Sequence, residues 1–289
     1  MLASLPDYAN QLELWARPAP DLAGVEADHY AAFLSLPDTG MAASARRFEG
    51  EWVKLVVLGG PAQAGHNHED RGSFVLEFAG DTFAADPGGL VYADAAANAM
   101  KHAQNHNLLV PVVAGPERPA PQNPAAVAVI PEAQGDEVSF SASLAPGVLW
   151  PQHYRRWERS FASPNPAELV IVDEFELEQG DGVEFRWHTP LPTRIENGEV
   201  VIQGGNGRAY VTPPEGCRVE LVPPRRLGTT ALATVIFRQD GGAGRLTTRV
   251  RLTRQRAEPR DRVWQGADPV PDSFPGGPGW KLDAYNGGR

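Results

Sequence analysis

The chain has 289 residues, 42% hydrophobic and 21% charged, enough apolar material for one large domain or two small ones. Its formal net charge of -10 argues against a nucleic-acid partner, because phosphate binding selects a basic surface. The single cysteine, Cys217, excludes an intramolecular disulfide, and no apolar run approaches the ~20 residues of a membrane-spanning helix, so no membrane partner is expected.

Residues 1–40 read as a lead-in segment, not a domain. DYANQLELWA and GVEADHYAAFL have the pattern of short helices, separated by the Pro-rich ARPAPDL, and a piece of that size buries too little to fold alone. The opening MLASLPDYANQLELW lacks the basic head and unbroken apolar stretch of a secretory signal, so a cytoplasmic location is open for the chain as written.

Residues 41–256 are patterned as β. WVKLVVL, SFVLEF, TFAAD, NLLVPVV, AVAVI and EVSFSASL are short, rich in Val, Phe and Leu, and bounded by Gly, Pro or Asp. HYRRWERSF, AELVIVDEFEL, VEFRWHT, EVVIQ, RAYVT, CRVELV, ALATVIFR and RLTTRVRL follow. With 30 glycines and 27 prolines as punctuation, about fourteen such strands predict an all-β fold, a large antiparallel β-sandwich or barrel. The Ala-rich YADAAANAMKHAQ, residues 92–104, is the one internal helix expected. Residues 257–289, rich in Pro, Gly and Asp, read as a surface tail that Trp264 and Trp280 pin down.

One stretch carries candidate chemistry: GHNHEDRGSFVLEFAGDTFAADPGG, residues 65–89. In an extended segment His66 and His68 share a face and Asn67 takes the other. SFVLEFAGDTFAAD reads as a hairpin turning at Gly80-Asp81, which returns Asp86 to the two histidines. Two imidazoles and a carboxylate suit zinc and similar divalent ions, and His102 or His106 offers a further nitrogen donor. A catalytic site, or a hydrogen-bonded polar sheet edge with Asp86 capping a turn, reads equally from the same residues. Asp70 is a candidate for orienting a histidine, or a turn cap; Asn67 joins it as a candidate for contact with histidines or substrate. Arg155 and Arg156, with Arg159, either grip an acidic sugar or form surface ion pairs, and the pairs are favoured. His188 reads as structural, and Trp150, Trp157 and Trp187 as core.

Two families resemble this stretch. Gly60 followed by His66-x-His68 is similar to the opening of the first cupin motif, but Gly72 and Ser73 stand where that motif has its Glu, and the second cupin motif is absent. GHNHEDRGSFVLEFAGDTFAADPGGLVY, the later His106-Asn107, the preceding LPDTGMAASAR, and HYRRWERSF and LVIVDEFE resemble the heparinase II/III-like C-terminal domain over residues 36–255. That family comprises lyases of acidic polysaccharides that pair a helical toroid with a β-sandwich.

The resemblance implies one structural zinc per chain held by His68, Asp86 and His106, and a His66 that faces the interdomain cleft and neutralises the substrate carboxylate. It also implies periplasmic or secreted placement. The family's base and acid lie mostly in the toroid, for which the first 40 residues leave no room, so a separate helical domain or protein is the expected partner beside the polysaccharide. Stand-alone catalysis is therefore unassigned. The alternatives are a non-catalytic, zinc-stabilised module binding glycans or a protein, and a cupin-like metal oxygenase holding iron.

Overall fold

The computed structural model describes residues 31–63, 68–88, 96–116, 118–124, 126–227 and 230–255. Most of the expected lead-in, the 257–289 tail with its two tryptophans, His66, Asn67 and residues 92–95 lie outside the described residues.

The described chain is built from antiparallel sheets. The first has the order β1 (Phe33–Leu36), β2 (Met41–Phe48), β3 (Glu51–Leu58), β5 (Phe74–Phe78), β6 (Asp81–Ala84). The second has the order β17 (Arg218–Leu227), β18 (Thr230–Asp240), β13 (Gly182–Thr189), β7 (Leu109–Val112). The largest runs β14 (Thr193–Glu196), β15 (Glu199–Gln203), β16 (Gly207–Thr212), β19 (Ala243–Arg254), β12 (Glu168–Leu177), β11 (Tyr154–Ser163), β10 (Phe140–Leu144), β9 (Glu132–Gly135). A short pair, β4 (Gly60–Pro61) with β8 (Ala128–Val129), completes them.

The first two sheets join edge to edge. The Ala85 amide donates to the His188 carbonyl at 2.8 Å, and Trp187 Nε1 donates to the Phe83 carbonyl at 2.8 Å. Phe74 of that composite layer meets Phe161 of the large sheet edge-on, with ring centroids 5.5 Å apart, inside one continuous core. This is the expected sandwich. The two-residue sequence period drives it: in β12, Leu169, Ile171, Asp173, Phe175 and Leu177 are buried, and the residues between them face outward.

Several elements differ from the sequence expectation. Phe33 and Leu34 pair with Ser44 and Ala43 in β1–β2, so the end of GVEADHYAAFL is strand. The β5–β6 hairpin turns one residue early, at Ala79-Gly80, both at positive φ (51° and 85°), so that Phe78 pairs with Asp81. Both central residues left-handed is what a tight hairpin needs to match strand twist. Among the described residues the Ala-rich segment gives α1 (Ala96–Met100) and a 3-10 turn over Ala103–Asn105, separated where His102 takes an extended conformation. Strand β17 continues past Pro223-Pro224 through a register shift between Val222 and Arg225; prolines have no N–H for the ladder.

Inside the core lies an ion pair. Arg159 and Asp173 stand opposite each other on β11 and β12, each 1% exposed. Arg159 Nε donates to Asp173 Oδ1 at 2.7 Å and Nη2 to Oδ2 at 2.9 Å, while Trp157 Nε1 also donates to Oδ1 at 2.7 Å. The remaining guanidinium nitrogen, Nη1, reaches the opposite layer and donates to the carbonyls of Gly72 (2.9 Å) and Asn107 (2.7 Å). A buried charge pair survives only when its hydrogen-bonding capacity is filled this way. We expect Arg159→Ala, which leaves Asp173 buried and unpaired, to lose about 3–5 kcal/mol in urea unfolding; a loss within error of zero refutes the role of this pair.

Candidate metal centre

Three segments converge at the edge between the first two sheets. The loop that carries His68 is held by its neighbours. Glu69 donates its amide to the Lys101 carbonyl at 2.8 Å, and its carboxylate accepts from the Ala103 amide at 2.8 Å. Arg118 grips the same carboxylate from both sides, at 2.5 and 2.8 Å. Arg71 closes the loop on itself, donating to the carbonyls of His68 (2.6 Å) and Pro61 (2.7 Å) and to Asp70 Oδ1 (2.5 Å). Loop 68–71 is thereby fixed against the turn that leads to His106.

Asp86 follows β6. Its Oδ1 accepts from the Gly88 amide at 2.9 Å, an Asx turn that Pro87 suits, and its Oδ2 lies 2.8 Å from His106 Nδ1. His106 is wholly buried. The next residue, Asn107, brackets the whole edge. Its Nδ2 donates to the carbonyls of Phe74 (2.8 Å) and Ala85 (3.1 Å), and its Oδ1 accepts from the His188 amide at 2.7 Å. Its own amide donates to Ser73 Oγ at 3.1 Å, and its carbonyl accepts from Arg159. Every polar group of Asn107 is used, which a buried amide requires.

The result is a cluster of His68, Asp86 and His106 whose potential ligand atoms all lie within 4.8 Å of one another. The two imidazole centroids are 5.3 Å apart. The donor set, two nitrogens and one carboxylate oxygen, is that of a three-ligand zinc site, and His106 Nε2 is buried without a hydrogen-bond partner. These residues fit a divalent metal.

The charges are tuned accordingly. Burial lowers the His68 pKa, the nearby His106 adds to this, and Asp70 and Asp86 oppose it; the net lowering favours the neutral ring that a metal requires. Burial alone would raise Asp86, but the hydrogen bond and charge of His106, the Gly88 amide and His68 outweigh it and hold the carboxyl below its ordinary value.

The other candidates fall as follows. Asp70 is tied to Arg71 and lies close enough to His68 to act on its charge. His102 is not part of the cluster; burial, then Arg118, lowers its pKa. Arg155 and Arg156 lie on the outer face of β11 with more than half of each side chain exposed (59% and 54%), paired with Glu176 and Glu178 and with Glu158 and Glu174. Arg159, grouped with them in the sequence reading, is instead interior. A register shift between Tyr154 and Arg156 resets the alternation, so Arg159 shares the inward face with Trp157 and Phe161. The spacing Trp157-x-Arg159-x-Phe161 was the available signal. Trp150, Trp157 and Trp187 are core, as read.

The two-layer antiparallel sandwich has the fold of part of two solved lyases. Heparan sulfate lyase HepC from Pedobacter heparinus superposes with a TM-score of 0.64 at 15% identity over 86% of this chain and 42% of that one. Heparinase III, the BT4657 gene product, superposes with a TM-score of 0.63 at 14% identity over 78% of this chain and 36% of that one. No curated protein matches by sequence. The family described as Heparinase II/III-like, C-terminal, matches residues 30–263, and the chain belongs to it. It spans less than half the length of either solved lyase.

Behind the cluster, His188 is 2% exposed, with Nδ1 2.9 Å from the Thr234 hydroxyl. Burial, then the charges of His106 and Arg186, push its pKa down to about 3. The unfolded chain takes up this proton below about 6.5 and the folded chain does not, so the associated stability is complete above 6.5 and falls as pH drops toward 3. Between pH 7 and 4.5 the wild type should lose about 2–3 kcal/mol more than His188→Gln in urea unfolding; parallel curves for the two proteins would show that this group does not drive acid lability.

Proposed function

We propose that this chain is the β-sandwich half of a lyase that cleaves an acidic, uronate-containing polysaccharide by elimination, and that His68, Asp86 and His106 hold one zinc ion. Membership of the heparinase II/III-like family supports the substrate class, and the gathered His-Asp-His donor set carries the metal assignment. The reaction removes the proton α to a carboxylate. It needs that carboxylate neutralised, a base for the proton and an acid for the leaving oxygen. His66, two residues before the cluster, is assigned to the carboxylate, with Asn67 beside it. Elimination uses no water nucleophile, so a bound zinc would supply cross-linking of the three ligand segments, not an activated hydroxide.

The base and acid are assigned to a helical partner, on the same chain or another, because the solved relatives are more than twice as long as the part matched here. Periplasmic or extracellular placement accompanies this reading. The alternative reading is a zinc-stabilised module, built on the same His-Asp-His donor set, that binds acidic glycan, or a protein, without cleaving it.

Elemental analysis of the purified chain should find about one zinc, lost in His68→Ala; metal-free wild type refutes the zinc assignment. Incubation with heparan sulfate, alginate and hyaluronan, with and without the helical half, should yield the ultraviolet absorbance of an unsaturated uronate only when both halves are present. Binding without that absorbance in either case selects the non-catalytic module. Absorbance from the chain alone would move the base and acid into these 289 residues.

A further inference from the structure

A basic cavity lies behind the His-Asp-His cluster. Of about 410 Å³, it opens between the 3-10 turn at Ala103–Asn105, the segment around Arg118, and strands β13, β17 and β18. Its volume is at the lower end of the ~300–1,000 Å³ of small-molecule sites. Three arginines line it, Arg118, Arg186 and Arg225, together with Asn105, His188 and Thr234. No carboxylate lines it, although the chain carries 36 acidic against 26 basic residues. Such a concentration of one sign against the overall charge is what an anion site requires.

The arginines are not equivalent. Arg118 is neutralised by Glu69, and Arg186 by Glu184 at 2.6 Å. Arg225 is exposed and, among the described residues, has no carboxylate partner; its guanidinium approaches Asn105 Oδ1 at 3.4 Å. The register shift at Pro223-Pro224 sets its place on β17. His188 Nδ1 lies 2.9 Å from the Thr234 hydroxyl, and the ring also bonds to the backbone of Gln104, so this side chain is held as part of the wall. One unpaired guanidinium and two paired ones leave the lining with hydrogen-bond donors and a net positive charge.

We propose that this cavity is an oxyanion-binding site with Arg225 as its principal cationic contact. Its occupant, which rests on the lyase reading above, is a sulfate or carboxylate group of the polysaccharide. The position suits that role. Asn105 precedes His106 in the chain, and Arg118 grips the Glu69 that follows His68, so an anion here would sit on the same two segments that carry the metal ligands.

The test is calorimetric titration of the zinc-loaded chain with three probes: inorganic sulfate, a sulfated heparin oligosaccharide, and an unsulfated oligouronate from alginate. Arg225→Gln, at an exposed position, should weaken binding by roughly tenfold or more while leaving the metal content unchanged. Preference for the heparin fragment makes the occupant a sulfate; equal binding of both fragments, each lost in the variant, makes it a carboxylate. Sulfate that binds only when Arg225 is present, with neither oligosaccharide binding, upholds the anion site and overturns the polysaccharide reading. Oligosaccharides that bind wild type, Arg225→Gln and Arg225→Glu equally overturn the anion site and leave the polysaccharide reading standing.

Discussion

The arrangement depends on one charged side chain placed where charges are costly. Arg159 leaves the large sheet, satisfies Asp173 beside it, and spends its last nitrogen on two carbonyls of the facing layer. Those carbonyls belong to Gly72, at the end of the His68 loop, and Asn107, next to His106. Apolar packing between the layers is non-directional and would tolerate a slip; a guanidinium fork bonded to two named carbonyls does not. Phe185, whose ring lies 4.8 Å from the guanidinium carbon, adds a cation–π contact on the same side. The pair therefore fixes the register between a large rigid sheet and the two loops that present the candidate ligands.

Asn107 completes what Arg159 begins. It faces Phe74, Ala85 and His188 with its side chain, and Ser73 and Arg159 with its backbone. An aspartate of the same shape would lose the two donors and bring an unpaired charge into a fully buried position. The site is thus precise because neutral and charged hydrogen bonds meet at one residue and tie together the segments of β5, β6, β11 and β13.

Much of this was legible in the sequence, for definable reasons. Strand alternation and Gly/Pro punctuation are local, so most strands from WVKLVVL to RLTTRVRL, though not the short β9 and β14, and the hairpin that returns Asp86 could be read directly. The candidate cluster was legible because its residues fall within one short stretch and one later His-Asn pair, 38 residues from His68 to His106. The position of Arg159 was legible only from its spacing to Trp157 and Phe161, because a register shift at Arg156 reverses the parity counted from Arg155. Strand β1 was not legible: its Phe33 and Leu34 continue a helix-like pattern until pairing with β2 decides otherwise. Arg225 escaped because two prolines stand before it, and prolines in a strand pattern read as an end.

The long reach of Arg159 also bears on the order of assembly. It sits 87 residues after Gly72 and 52 after Asn107, whereas the β5–β6 hairpin closes over two. Contacts of such separation carry a large loop-closure entropy and form late, when the sheets have already found each other. During synthesis His68, Asp86 and His106 all emerge well before the residue that locks their loops in register. A growing chain therefore carries the donor atoms of the centre before it has the rigidity to hold them in place, and a metal ion captured in that interval would act as an early staple between segments the protein itself fixes only at the end.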